Sequence, residues 1–156
     1  MKGNSKVLAV LNDLLADELT AINQYVVHGE MAENWGYGKL KKLVGGRAIT
    51  EMKHAEKLIE RILFLEGTPI VSNLNKIRIG SDIPKQFAND LDAEMTAVKN
   101  YNQAIKVTMD ACDNATKEIL ELILKDEDGH VNQIEEKLDQ IKQMGVQNFL
   151  ALQAGE

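Results

Sequence analysis

The sequence predicts an all-α protein: a four-helix bundle with a long crossover between the second and third helices and a short fifth helix at the C-terminus. Three observations carry this prediction. The 156 residues include only 2 prolines and 4% aromatic residues, whereas the good helix formers Leu, Ala, Glu, Lys and Gln are abundant. Four long stretches place apolar side chains at i, i+3, i+4 and i+7. The breaks between them run short, long, short, which in a bundle reads as hairpin, crossover, hairpin.

The first helix is expected from about Ser5 to Asn34, with Asn4 or Ser5 able to cap it. Its inward stripe reads Leu11, Leu14, Leu15, Glu18, Ile22 and Tyr25, which sets a glutamate in the middle of an apolar face. The second runs from about Lys39 to Glu66 and stops at Gly67, with Pro69 beyond it. Its stripe is Leu40, Val44, Glu51, His54, Leu58, Ile62 and Leu65. Gly45 and Gly46 fall inside it, each costing about 1 kcal/mol relative to alanine. Residues 68–82 (TPIVSNLNKIRIGSD) have no helical period and are long enough to return the chain along a whole helix. The third helix is expected from about Ile83 to Asp110, with Pro84 tolerated in its first turn. The fourth spans about Asn114 to Met144 and ends at Gly145, and Val146 to Leu152 can add two further turns. A chain of this length reads as a single domain, residues 1–156.

Several function classes are excluded at this level. A formal net charge of −6 argues against a nucleic-acid partner, which needs a basic face. No apolar run approaches the roughly 20 residues that span a bilayer, so no membrane partner is expected. The N-terminal run Val7 to Leu15 is cut by Asn12 and Asp13, unlike a secretory leader. One cysteine, Cys112, permits neither an internal disulfide nor a CxxC metal knuckle. These features describe a soluble protein of the cytoplasm.

The chemistry is concentrated in two short motifs, Glu51-Met52-Lys53-His54 and Glu127-Asp128-Gly129-His130. A carboxylate and an imidazole three residues apart share one face of a helix. Each motif follows a lone stripe glutamate by 33 residues: Glu18 before Glu51, Glu94 before Glu127. The midpoints of those intervals fall at Asn34–Trp35 and Asp110–Ala111, where the sequence breaks. Two hairpins with turns at those points bring all six side chains to one level of the bundle. Ionised carboxylates in a core are costly unless paired or metal-bound, and four at one level repel. Two divalent cations resolve both problems, and an oxygen-rich set with two imidazoles suits iron or manganese. Glu18, Glu51, His54, Glu94, Glu127 and His130 are thus the expected catalytic and metal-binding residues. Glu51 and Glu127 are the natural bridges, Glu18 and Glu94 the terminal ligands. Tyr25, two turns beyond Glu18 on the same face, is either a supporting hydroxyl or electron donor for the centre, or a plain core tyrosine.

The chain resembles the bacterioferritins over almost its whole length. The most specific parts are Glu18-Leu19-x-Ala21-Ile22-Asn23-Gln24-Tyr25, Asn34-Trp35-Gly36, Glu51-Met52-Lys53-His54-Ala55-Glu56, Ile59 to Gly67, and Asp126-Glu127-x-x-His130. The resemblance implies a ferritin-like fold and a hollow shell of twenty-four subunits built from dimers. It implies a ferroxidase that oxidises Fe(II) at a di-iron centre, with dioxygen or peroxide as oxidant, and stores iron as a ferric mineral. It also implies haem b or a related iron porphyrin at each twofold interface, with Met52 as axial ligand. By helical rotation Met52 points sideways out of the bundle, where a methionine is otherwise a flexible interface contact. Leu19, Ile22, Asn23 and Val26 are then the candidate haem pocket, and a small iron–sulfur ferredoxin is the implied partner for iron release.

The sequence departs from the family at three positions. Gly46 and Thr50 stand where several members carry His and Asp that form an accessory iron site facing the cavity. Arg47 stands where some relatives are acidic, so positive charge is expected near Glu51. Two alternatives to transfer through this inner face follow: the centre acts as a true catalytic cofactor site, or ions reach the cavity by other pores. Two competing readings are a peroxide-destroying di-iron protein of the rubrerythrin kind and a haem-binding shell with an idle metal centre. The first normally carries a CxxC-bearing domain, which one cysteine cannot supply. The second leaves six intact ligands without a role.

Overall fold

A computed structural model describes residues 1–156. It contains five helices and no strand: α1 (Ser5–Asn34), α2 (Gly38–Phe64), α3 (Ile83–Asp110), α4 (Asn114–Met144) and α5 (Val146–Ala151). α1 pairs with α2 and α3 with α4 as two hairpins, and α1 lies against α3 to close the bundle. This is the ferritin-like arrangement, with a short terminal helix added.

The starts of α1, α3 and α4 follow from short polar side chains that satisfy free backbone N–H groups, whereas α2 begins after Tyr37 with no side-chain cap. Asn4 accepts from Lys6 N and Val7 N at 2.8 and 3.3 Å. Asp82 accepts from Lys85 N at 2.9 Å ahead of a helix with proline in its first turn. Asp113 accepts from Thr116 N at 3.0 Å. α4 stops at Gly145, which takes φ +81. α2 ends differently from the expectation. Its last helical residue is Phe64, and Glu66, not Gly67, takes the left-handed conformation, φ +61. Gly67 packs closely: a Cβ there would lie 2.5 Å from Leu8 Cδ2, so the leucine tip would have to shift.

The crossover, residues 65–82, has no regular structure, so its backbone needs partners from elsewhere. A ladder of polar side chains along one edge of α1 supplies them. Asn12 accepts from Ile70 N at 2.8 Å, Thr20 from Asn75 N at 2.8 Å, Gln24 from Arg78 N at 3.1 Å, and His28 Nε2 from Gly80 N at 3.0 Å. The strap is thereby held along the length of α1.

Two main apolar clusters fill the bundle, with a third, smaller one of Tyr25, Val44 and Ala48. One contains Val7, Leu11, Leu58, Ile62, Tyr101 and Leu120; the other contains Leu40, Ile83, Phe87, Ile134 and Phe149. α5 contributes Phe149, whose ring meets Phe87 edge to face at 6.2 Å between centroids. Along every long helix the buried carboxylates fall between these clusters. The site is therefore a polar layer sealed at both ends by hydrocarbon.

Candidate metal centre

Glu18 on α1, Glu51 and His54 on α2, Glu94 on α3, and Glu127 and His130 on α4 all project into this layer. The four glutamates are at most 2% exposed. Two groups of potential ligand atoms form there, each with its members within 4.8 Å of one another: Glu18, Glu51, His54 and Glu127, and then Glu51, Glu94, Glu127 and His130. Glu51 and Glu127 belong to both groups, the sharing that bridging ligands require. His54 Nδ1 lies 2.9 Å from Glu51 Oε2 and 2.8 Å from Glu127 Oε1. His130 Nδ1 lies 3.0 Å from Glu51 Oε1 and 3.2 Å from Glu94 Oε1.

The donor set fits a pair of cations. Glu51 Oε1, Glu94 Oε2, Glu127 Oε1 and His130 Nδ1 are buried without a hydrogen-bond partner. An unpaired buried polar atom costs about 1–3 kcal/mol, and more when charged. Four such atoms converging on one layer are what a cation-binding site presents. The electrostatics agree. Burial and then the neighbouring Glu18 carboxylate push Glu51 well above the usual carboxylate range. Burial, then the hydrogen bond with Glu94, push Glu127 up to about 12. Burial acts to raise Glu94 too, but the adjacent Glu127 and His130 and the Tyr25 hydroxyl outweigh it and hold this group down at about 2. Burial acts to lower His54, and the carboxylates of Glu127, Glu18 and Glu51 overcome it and raise the imidazole strongly. A divalent cation competes with these protons directly.

Tyr25 is fully buried, and its hydroxyl donates to Glu94, not to Glu18 on its own helix. Sequence reasoning missed its counterpart. Tyr101, also fully buried, donates to Glu18 Oε1 at 2.5 Å. The signal was present in the chain: ELTAINQY at 18–25 recurs as EMTAVKNY at 94–101, an offset of 76 residues. The same offset relates Glu51 to Glu127 and His54 to His130. The site is thus an internal near-twofold, with each tyrosine serving the glutamate of the other half. Asp126 was also missed; its Oδ2 lies 2.9 Å from His54 Nε2.

Arg47 departs from the expectation that it would present charge beside Glu51. Its side chain is 2% exposed, lies 3.5 Å from Asp90, bonds Gln133 at 2.9 Å, and stacks over the Tyr25 ring at 5.1 Å. Its charge is engaged inside the bundle. His28, the third histidine, belongs to the same network, bonded through Nδ1 to Asp90 at 2.9 Å. Gly46 is exposed, and the Thr50 hydroxyl donates to the Gly46 carbonyl at 3.2 Å.

Met52 lies outside the bundle and is 48% exposed. Ile22, Val26, Ile49 and Met52 share an open groove between α1 and α2. Leu19 does not line it but packs partly on the core, and Asn23 turns its amide to the Leu19 carbonyl at 2.8 Å.

Comparison with known proteins finds relatives along almost the whole chain. A family model described as a ferritin-like domain matches residues 8–144. The chain is 41% identical over 154 residues to a bacterioferritin of Rhodobacter capsulatus, covering 99% of this chain and 96% of the relative. It is 40% identical over 154 residues to a bacterial ferritin of Synechocystis, covering 98% and 99%. A bacterioferritin of Mycolicibacterium paratuberculosis is 36% identical over 151 residues, covering 97% and 95%.

Proposed function

The chain belongs to the bacterioferritin family, and from that premise we propose that it stores and detoxifies iron. As a single 1–156 domain, it oxidises Fe(II) to Fe(III) at the six-residue centre. The ferric product is deposited as mineral inside a shell of twenty-four copies built from dimers. The observation that carries this reading is the pair of four-residue ligand groups sharing Glu51 and Glu127.

Fe(II) is the substrate. Glu18, Glu51, His54 and Glu127 hold one ion, and Glu51, Glu94, Glu127 and His130 hold the other. Each gives up one electron to dioxygen or peroxide. Oxygen-rich anionic ligands favour the harder, more highly charged ferric product over ferrous iron. Tyr101 and Tyr25 fix the orientation of the terminal carboxylates through their hydroxyls. The protons held by Glu51 and Glu127 leave as the ions bind.

Met52 is the residue that would hold the iron of a haem b-type porphyrin between two copies. Its outward, half-exposed thioether in the groove with Ile22 and Val26 supports this. Bound there, the porphyrin would supply one-electron transfer, and a small iron–sulfur ferredoxin would be the matching electron donor for iron release. Assembly is supported by apolar side chains left at the surface, among them Val26, Ile49 and Met52 on the α1/α2 face and Val71 and Leu74 on the crossover. No helix is long and apolar enough to cross a membrane, and the cytoplasm is the assigned compartment.

The test is loading with many equivalents of Fe(II) in air, followed by light scattering and iron analysis. Twenty-four 17.4 kDa chains form a particle of roughly 420 kDa that retains its iron. A dimer that leaves the iron to precipitate at the buffer rate contradicts the proposal.

A further inference from the structure

We infer that the two cation positions are unequal, and that Asp126 makes the His54 position the tighter one by fixing and polarising that imidazole. This rests on the dinuclear reading above and adds a positioning residue to it.

The 76-residue offset reproduces the ligands but not their backing. His54 directs Nδ1 at the glutamates, while Nε2 meets Asp126 Oδ2 at 2.9 Å. A carboxylate on the far nitrogen of a ligating histidine sets its tautomer, holds the ring and raises its basicity. His130 directs Nδ1 at the glutamates in the same way. The position corresponding to Asp126 is Thr50, which offers no carboxylate and gives its hydroxyl to Gly46. No side chain bonds the His130 Nε2.

A second asymmetry acts in the same direction. Arg47 is buried over the ring of Tyr25, the tyrosine bonded to Glu94 of the His130 group, and its Nε and one terminal nitrogen have no hydrogen-bond partner. Asp90, 3.5 Å away, offsets part of that charge. The residue corresponding to Arg47 on the other side is Ile123, a neutral core side chain. One cation position therefore has an added carboxylate behind its histidine, and the other has a fixed cation behind its tyrosine.

The experiment titrates Co(II) into the metal-free assembled protein, read by visible d–d absorption and calorimetry. Two steps of one ion per chain are expected, resolved by at least about tenfold in affinity, the scale on which such backing groups act. Crystals at one equivalent should show anomalous density at the His54 position. D126N keeps the shape but removes the charge, and should weaken the first step by about 10–100-fold while leaving the second in place. T50D supplies the missing carboxylate and should draw the second step towards the first. Asp126 is 56% exposed in its side chain, so these variants leave the core intact. Two equal steps with density split evenly overturn the inference, as does a first step unchanged in D126N. Failure of the wild type to bind Co(II) at all overturns the dinuclear reading itself.

Discussion

Tyr101 on α3 and Glu18 on α1, 83 residues apart in the chain, meet at 2.5 Å in the centre of the bundle. Tyr25 makes the reciprocal bond to Glu94. The two hairpins are therefore stitched together by the groups that hold the terminal glutamates. Hydrogen bonds to charged groups contribute about 1.5–3 kcal/mol. Y101F should lower stability by about that amount and slow Fe(II) oxidation by releasing Glu18, without changing the assembly. Denaturant unfolding and stopped-flow oxidation check both effects; a variant indistinguishable from wild type in both would remove Tyr101 from the site.

Replacing a bridging residue has a larger effect. E127A removes a group shared by both ion positions, so rapid Fe(II) oxidation should be lost while the shell still forms. The substitution lies between the two main apolar clusters and leaves them untouched, so the metal-free variant should stay folded. Stopped-flow traces at the wild-type rate would contradict the assignment.

The same residue sets a pH dependence. Glu127 is held at about 12 in the folded chain against an ordinary 4.5, so the native state binds the extra proton between those values. Its contribution to stability is full below about 4.5 and is lost as pH rises towards 12. His54, raised from 6.5, acts in the same sense. Glu94, held at about 2, acts oppositely: its contribution is lost as pH falls below 4.5 through 2. Chelator-treated protein should therefore melt higher at about pH 5.5 than at about pH 8.5. Divalent cations should reverse that order by replacing the protons. E127Q should flatten the metal-free slope, and equal slopes in E127Q and wild type would count against it.

Met52 is separated from the centre by the wall of α2. M52L should abolish the haem Soret band yet preserve Fe(II) oxidation, and near-equal side-chain volume makes the folding cost small. A normal Soret band in the purified variant would require another ligand.

The helices were legible because their apolar stripes are long and the breaks between them are marked by glycine, proline and short polar residues. The convergence of the six candidate ligands was legible because buried carboxylates interrupt apolar stripes at matched spacing. What escaped lies across helices. Tyr101 is buried in an apolar cluster and carries no local sign of its bond to Glu18. Arg47 reads as exposed charge until Asp90, Gln133 and Tyr25 are seen around it. The end of α2 was displaced because Gly67 reads as a helix stop, whereas the chain already turns at Glu66, which takes φ +61. The crossover ladder of Asn12, Thr20, Gln24 and His28 follows a near-i+4 rhythm along α1, yet its partners are backbone groups more than 50 residues away.

The most direct test is anomalous diffraction at the iron edge from crystals soaked anaerobically with Fe(II). Two iron peaks per chain are expected. One should lie among Glu18, Glu51, His54 and Glu127, and the other among Glu51, Glu94, Glu127 and His130. No ordered iron in this layer, or a single ion that leaves either histidine uncoordinated at saturation, would contradict the dinuclear centre.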